Sequence, residues 1–341
     1  MELQYKKYSP EYKNQVIDLL DNLWHFPYEE KLAYFKWKFE DNPYTDEVLG
    51  FVALDGDRVI AYRGYMIIPI VYQNSEYLCA SLADTVTHPD YRRKGIFAAI
   101  TKFSIDEIMK DGRFLISTNS SSGGKTMGGY LKLGWRPFSE REHLLRFNMW
   151  GLVNKFIKHK KFDPIIDLEY NSRKDFHFIL TRENRPSDIV SIQYDYFRIS
   201  HKRDKDFYSW RFGNPHNKFL FAYVYDMKGE LLAYIAFSGI LGGKFDIVDF
   251  NCKDKTYLKL LLKWVCKNVH PYYVSLWTVG KNNCIYKNKY YYGFISLGFI
   301  LNRLKKFQKP PFLIRGFSEM KDDIIYNADN WDLYKVVADE V

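Results

Sequence analysis

Cysteine is scarce in this chain. Four occur among 341 residues (Cys79, Cys252, Cys266 and Cys284), with no C-x-x-C spacing and no histidine at ligand spacing from them. That pattern suggests neither a disulfide framework nor a metal site. Long apolar runs are missing as well. Nothing approaches the ~20 residues of a membrane span, and the opening "MELQYKKYSP" has no apolar signal core. A cytoplasmic protein without a membrane partner is expected. Acidic residues are in deficit, 41 against 50 Lys and Arg, which leaves a net charge of +9. Such an excess attracts anions: nucleotides, phosphorylated sugars, nucleic acid or acidic lipid. The basic residues are spread along the chain, however, and short runs such as Lys158-His159-Lys160-Lys161 and Lys305-Lys306 read as solvated faces.

Aromatic residues are plentiful, 18% of the chain with 28 Tyr and 26 Phe. With 47% hydrophobic and 27% charged residues, the composition is that of a globular protein long enough for two domains. The aromatics carry a repeat. Residues 34–43, "YFKWKFEDNP", and 207–215, "FYSWRFGNP", share aromatic–aromatic–x–Trp–Lys/Arg–Phe and then Asn-Pro. At equal distances downstream come Ala61-Tyr62 and Ala233-Tyr234. Between these points each copy has two apolar runs around a turn, Asp55-Gly56 in one and Lys228-Gly229 in the other, the pattern of a β-hairpin. A later pair, "YLKLGW" (130–135) and "FISLGF" (294–299), also aligns and sets Phe294 opposite Tyr130. A duplication follows: two domains of like plan, 1–150 and 171–341, connected through 151–170.

In the first copy, Val16, Leu19, Leu20 and Leu23 mark a helix after Ser9-Pro10, and a second carries Tyr34, Trp37 and Lys38 up to Asn42-Pro43. Strands are expected near 48–54, 58–72 and 77–87. A helix follows from about Lys94 to Asp111-Gly112, then a strand at 113–119, a helix ending at Leu133-Gly134 and a further strand. This is an α/β plan with an antiparallel start and a strand–helix–strand crossover.

One junction concentrates charge. "DTVTHPDYRRKGIF" (84–97) breaks a strand at His88-Pro89 and enters a helix through Arg92, Arg93, Lys94 and Gly95. The first N–H groups of a helix lack intrahelical acceptors and sit at the positive end of its dipole, so a strand that feeds directly into a helix creates an anion site. A glycine there admits a phosphate to the backbone, and three basic side chains add charge-assisted contacts. The stretch resembles motif A of the GCN5-related N-acetyltransferases (GNAT), Arg/Gln-x-x-Gly-x-Gly/Ala, falling on Arg92-Arg93-Lys94-Gly95-Ile96-Phe97. Val86-Thr87-His88-Pro89 matches the lead-in. Asn119 and Tyr130, four residues before Gly134, match a second pattern, Asn…Tyr-x-x-x-Gly-aromatic.

The resemblance implies two tandem GNAT-like domains, each with a mixed, mostly antiparallel sheet flanked by helices. It implies acetyl-CoA as co-substrate, held by Val86, His88, Arg92, Arg93, Lys94, Gly95, Ile96, Phe97, Ala98 and Asn119. Phe97 departs from the usual Gly or Ala. The resemblance also implies that Tyr130 protonates the departing thiolate, for which a phenol of pKa near ~10 facing a thiol near ~8.5 is suited. Asp84, one strand alternation before Val86, is the candidate acceptor of the amine's proton, with Glu29, Glu30 and Asp41 as alternatives. In the second copy "FNCKDKT" (250–256) has no Arg-x-x-Gly and Phe294 has no proton to give, so that domain is expected to be degenerate and to shape the substrate cleft. Three acceptor readings stay open: a small-molecule amine, with an amino sugar leading; aminoacyl transfer of the Fem type, the one reading in which tRNA would be the nucleic-acid partner; and non-catalytic acyl-CoA binding.

Overall fold

Gly56 and Gly229 have φ of +59° and +82°, so both hairpin turns use the left-handed backbone that glycine allows at no steric cost. The computed structural model describes residues 2–120, 124–140, 142–157, 167–171, 175–240, 243–279, 284–296, 311–317 and 322–338. In chain order, β1 (Gln4–Lys7) precedes α1 (Lys13–Leu20) and α2 (Tyr28–Phe35), whose last turn widens into a π-helical segment, Lys36–Glu40. Then come β2 (Gly50–Asp55), β3 (Arg58–Tyr72), β4 (Ser75–Thr87), α3 (Ile96–Met109), β5 (Phe114–Asn119), α4 (Gly124–Lys132) and β6 (Arg136–Glu140). The chain continues through β7 (Glu142–Phe147), α5 (Met149–Phe156), β8 (Leu168–Asn171), β9 (Phe176–Thr181), α6 (Pro186–Ile189), β10 (Ser200–His201) and α7 (Lys205–Arg211). It ends with β11 (Leu220–Asp226), β12 (Leu231–Ser238), β13 (Lys244–Cys252), α8 (Lys255–Val269), β14 (Tyr273–Val279), β15 (Ile295–Ser296), β16 (Pro311–Gly316) and β17 (Leu333–Tyr334).

Two mixed, mostly antiparallel sheets result. The first runs β1-β2-β3-β4-β5-β16-β6, with β10 against the far end of β3; the second runs β15-β7-β14-β13-β12-β11-β9-β8, with β17 against β14. In each, one parallel contact supplies the crossover: β4 with β5 around α3, and β13 with β14 around α8. The fold is therefore α/β with two GNAT-like sheets. The sheets do not divide the chain at a single point. β16, from the last 31 residues, lies between β5 and β6 of the first sheet, while β7 lies between β14 and β15 of the second. A cut across 151–170 would leave β7 on one side, and β10 and β16 on the other, in the opposite half's sheet.

The duplication is visible in detail. Asn42 Oδ1 accepts from Tyr44 N at 3.1 Å and Asn214 Oδ1 accepts from His216 N at 2.9 Å, so both Asn-Pro blocks make the same two-residue side-chain turn. One aligned pair is corrected. Gly134 and Gly293 both end helices in the left-handed region, with φ of +90° and +77°. Trp135 N donates to Tyr130 O just as Phe294 N donates to Lys289 O. These matched helix ends make Lys289, not Phe294, the counterpart of Tyr130; Phe294 answers to Trp135.

The first sheet buries both faces. Val16, Leu20, Phe35, Tyr62 and Val86 pack on the α1–α2 side. Ile96, Ile100 and Ile108 of α3 pack with Phe51, Tyr65, Leu82, Tyr130 and Trp135 on the other. Among the described residues no helix is long and apolar enough to cross a membrane.

Candidate active site

β4 and β5 pair only from Leu78↔Phe114 to Ser81↔Thr118. Beyond that point they diverge, and β4 goes on to Thr87 hydrogen-bonded to β3 alone. The outer backbone edge of residues 82–87 thus faces a fork rather than a neighbouring strand. Unpaired N–H and C=O groups of this kind need a partner, and an extended chain with amide groups supplies one. A register shift between Arg63 and Tyr65 inserts an extra residue in β4 at Ala83–Asp84, and such a bulge bends the strand away and re-aims its side chains.

At the open end of the fork, eight residues connect Thr87 to Ile96. The His88 side chain accepts from Asp90 N at 3.4 Å and its Nε2 lies 2.8 Å from Arg58 Nη2, so it closes the turn. Arg93 and Gly95 then take positive φ, +62° and +78°, and Gly95 stands at the N-cap of α3. No side chain caps that helix. Arg92, Arg93 and Lys94 are exposed around it, and a Cβ built on Gly95 meets nothing within 4 Å. A cradle with free N–H groups of Ile96, Phe97 and Ala98, a helix dipole and three cations fits a pyrophosphate. Ile96 contributes only backbone, since its side chain is in the core. Phe97 turns away from the cradle: a Cβ on Gly129 would lie 2.9 Å from its ring, and the ring stands 5.3 Å from that of Tyr130.

Tyr130, on α4, and Asn119, the last residue of β5, are both buried beside the fork. The Tyr130 hydroxyl accepts from Arg63 Nη1 at 2.8 Å and its ring stands edge-on to Trp135. Asp84 lies on the opposite face, toward α1 and α2. It accepts from Trp24 Nε1 at 3.0 Å and from Lys38 Nζ at 2.7 Å, with Lys38 1% exposed. Val86, on the same face, packs into the α1–α2 core. The alternatives Glu29, Glu30 and Asp41 are exposed, Glu30 facing His216 at 3.9 Å and Asp41 pairing with Lys36. The structure therefore gathers Tyr130, Asn119 and the Gly95 cradle on one side of the fork and Asp84 on the other. Sequence reasoning missed Arg63, Thr85 and Lys38. Arg63 had a signal: it is the one charged residue in the apolar stretch "VIAYRGYMII".

The family model for the acetyltransferase (GNAT) domain matches residues 4–138. Over that stretch the chain carries a GNAT acetyltransferase domain. Solved GNAT-like structures extend the likeness to the whole fold. A probable N-acyltransferase from Enterococcus faecalis V583 superposes with a TM-score of 0.65 at 14% identity, over 93% of this chain and 73% of that one. A GCN5-related N-acetyltransferase from Anabaena variabilis does so with 0.58 at 13% identity, over 93% and 73%. A tandem GNAT protein from the clavulanic acid biosynthesis pathway gives 0.51 at 12% identity, over 94% and 100%. No curated protein matches the chain in sequence.

The second GNAT-like sheet has the same bulge with different contents. Asp249, opposite Ala236, occupies the place of Asp84. It is fully buried and bonded to Arg203, Tyr208 and Tyr234. Only Lys253 and Asp254 separate β13 from α8, and the Asp254 carboxylate accepts from Thr256 N at 2.8 Å. A carboxylate thus occupies the helix N-terminus that in the first half is left open.

Proposed function

We propose that the first half of the chain transfers the acetyl group of acetyl-CoA to a primary amine of a small molecule, and that the second half shapes the cleft in which the amine binds. The observation that carries this reading is the fork between β4 and β5, with the uncapped N-terminus of α3 at its mouth and the Tyr130 hydroxyl beside it. Acetyl-CoA supplies an activated acyl thioester. The exposed edge of β4 near Val86, together with Asn119, aligns the amide-bearing arm, and the N–H groups of Gly95 to Ala98 with Arg92, Arg93 and Lys94 hold the pyrophosphate. Tyr130 Oη donates its proton to the departing sulfur. Asp84, held by Trp24 and Lys38, faces the acceptor side and attracts the amine. Trp24, Phe26, Tyr34 and His216 cluster on that side, Phe26 stacking on His216 at 4.0 Å. Such rings favour a sugar-like acceptor, so amino sugars lead the reading.

Calorimetric titration with acetyl-CoA tests it. One site per chain is expected, followed by release of free thiol when the right amine is supplied, in a screen that starts with amino sugars. Absence of binding overturns the reading; binding with no turnover on any amine leaves an acyl-CoA-binding module instead.

A further inference from the structure

Arg63 is a guanidinium in an unusual place. It sits on β3 with no exposed surface, it is protonated at any working pH, and among the described residues it forms no ion pair with a carboxylate. Its Nη1 donates both to Thr85 Oγ1 across the strand and to the Tyr130 hydroxyl at 2.8 Å. Nε and Nη2 are buried with no partner. The rings of Tyr65 and Tyr130 stand 5.1 and 5.2 Å from its Cζ. A buried cation without a counter-anion is unfavourable. Of the two neighbouring phenols, Tyr65 is engaged by Ser104 at 2.6 Å, and the one that becomes an anion in the reaction is Tyr130, whose oxygen Arg63 already touches.

We infer that Arg63 is a positioning residue for acyl transfer: it holds the Tyr130 hydroxyl with its proton turned toward the fork and stabilises the phenolate left when that proton is given up. The inference rests on the reading of Tyr130 as proton donor. Because Nη1 fills a lone pair of Oη and the Phe97 and Trp135 rings wall two sides of the phenol, the O–H is left to face the cleft. The step balances. The amine nitrogen bonds to the acetyl carbon, the C–S bond breaks, the sulfur takes the Tyr130 proton, and the proton lost by the nitrogen returns to the phenolate through solvent. The other charged or titratable groups around Tyr130 are Tyr65 on β3 and Arg315 on β16, which donates to Leu133 O at the end of α4. Asp84 is on the far face of the sheet.

Steady-state kinetics of the full chain in R63M, R63K, Y130F, R63M/Y130F and R63K/Y130F test this. Turnover in R63M is expected to fall about 10–100-fold, the scale of a weakened general acid, with KM for acetyl-CoA within about twofold. R63K recovers part of the loss. In the Y130F background, R63M costs nothing further. Wild-type turnover in R63M, or an equal loss from R63M with and without Tyr130, overturns the inference. A wild-type rate in Y130F instead overturns the proton-donor reading itself. If circular dichroism shows R63M unfolded, R63K decides: a loss that is equal with and without Tyr130 overturns the inference.

Discussion

Trp37 and Trp210 exchange hydrogen bonds: each indole N–H donates to the other's backbone carbonyl at 2.7 Å, and the rings stack with centroids 6.2 Å apart. They are the matching tryptophans of the two aromatic blocks, so the duplicated motif meets itself where the halves join. Both side chains are buried. Replacing either with Phe removes one buried hydrogen bond, at a cost of about 0.5–1.5 kcal/mol, and the Trp210 carbonyl keeps Gly213 N as a donor at 3.0 Å. Urea midpoints of W37F and W210F should both fall, by similar amounts; an unchanged midpoint in either would show that the reciprocal bonds contribute nothing.

Asp84 and Lys38 form the buried pair that complicates any test of the acceptor side. Removing one partner strands the other's charge, so D84N is expected to destabilise the protein by about 3–5 kcal/mol, and K38M/D84N to recover most of that loss. Loss of activity in D84N is therefore uninformative until stability is restored. A folded double variant that remains inactive assigns Asp84 to the chemistry; one that works at the wild-type rate makes it a structural anchor.

Much of the first half was legible because its signals are local. Asp55-Gly56, Asn42-Pro43, His88-Pro89 and Gly95 state their own backbone conformations, and the spacing of Ile96, Ile100 and Ile108 shows the buried face of α3. What escaped was long-range. Alternation in 142–147 and 311–316 tells which face is buried but not which strand is adjacent, so the crossed placement of β7 and β16 had no signature. The Tyr130–Phe294 alignment matched letters, whereas the helix ends are defined by the backbone of Gly134 and Gly293. Arg63 and Lys38 find their partners 67 and 46 residues away, beyond any motif.

Gly95 provides a test of the cradle that separates strain from obstruction. With φ at +78° and open space where a Cβ would go, G95A costs about 1–2 kcal/mol of backbone strain without a protein clash. The added carbon nevertheless lies where a phosphate would approach. Two or three charge-assisted bonds at about 1.5–3 kcal/mol each are then weakened, so affinity for acetyl-CoA in G95V should fall by at least about 100-fold. The comparison variant is D254A, which removes the α8 cap at about 1 kcal/mol and should leave acetyl-CoA binding as it is. Unaltered affinity in G95V would sink the cradle assignment.

Cys284 and Cys252 face each other in the second half, and their unequal chemistry can be read by alkylation. A hydrogen bond from the Cys252 thiol holds Cys284 down to about 6 against the opposing effect of burial, with the Tyr292 hydroxyl 3.2 Å from its sulfur. The same bond pushes Cys252 up. Burial alone pushes Cys79 up to about 12 and also raises Cys266. The thiolate is the nucleophile, so at pH 7 iodoacetamide should label the tryptic peptide "NNCIYK" well before the peptides of the other three cysteines. Below pH 6 its rate should drop about tenfold per unit, as the thiolate fraction does. Y292F removes one supporting hydroxyl and should shift the inflection upward while leaving Cys79 inert. An inflection near ~8.5, the value of an ordinary thiol, would mean that Cys252 and Tyr292 do not hold the thiolate.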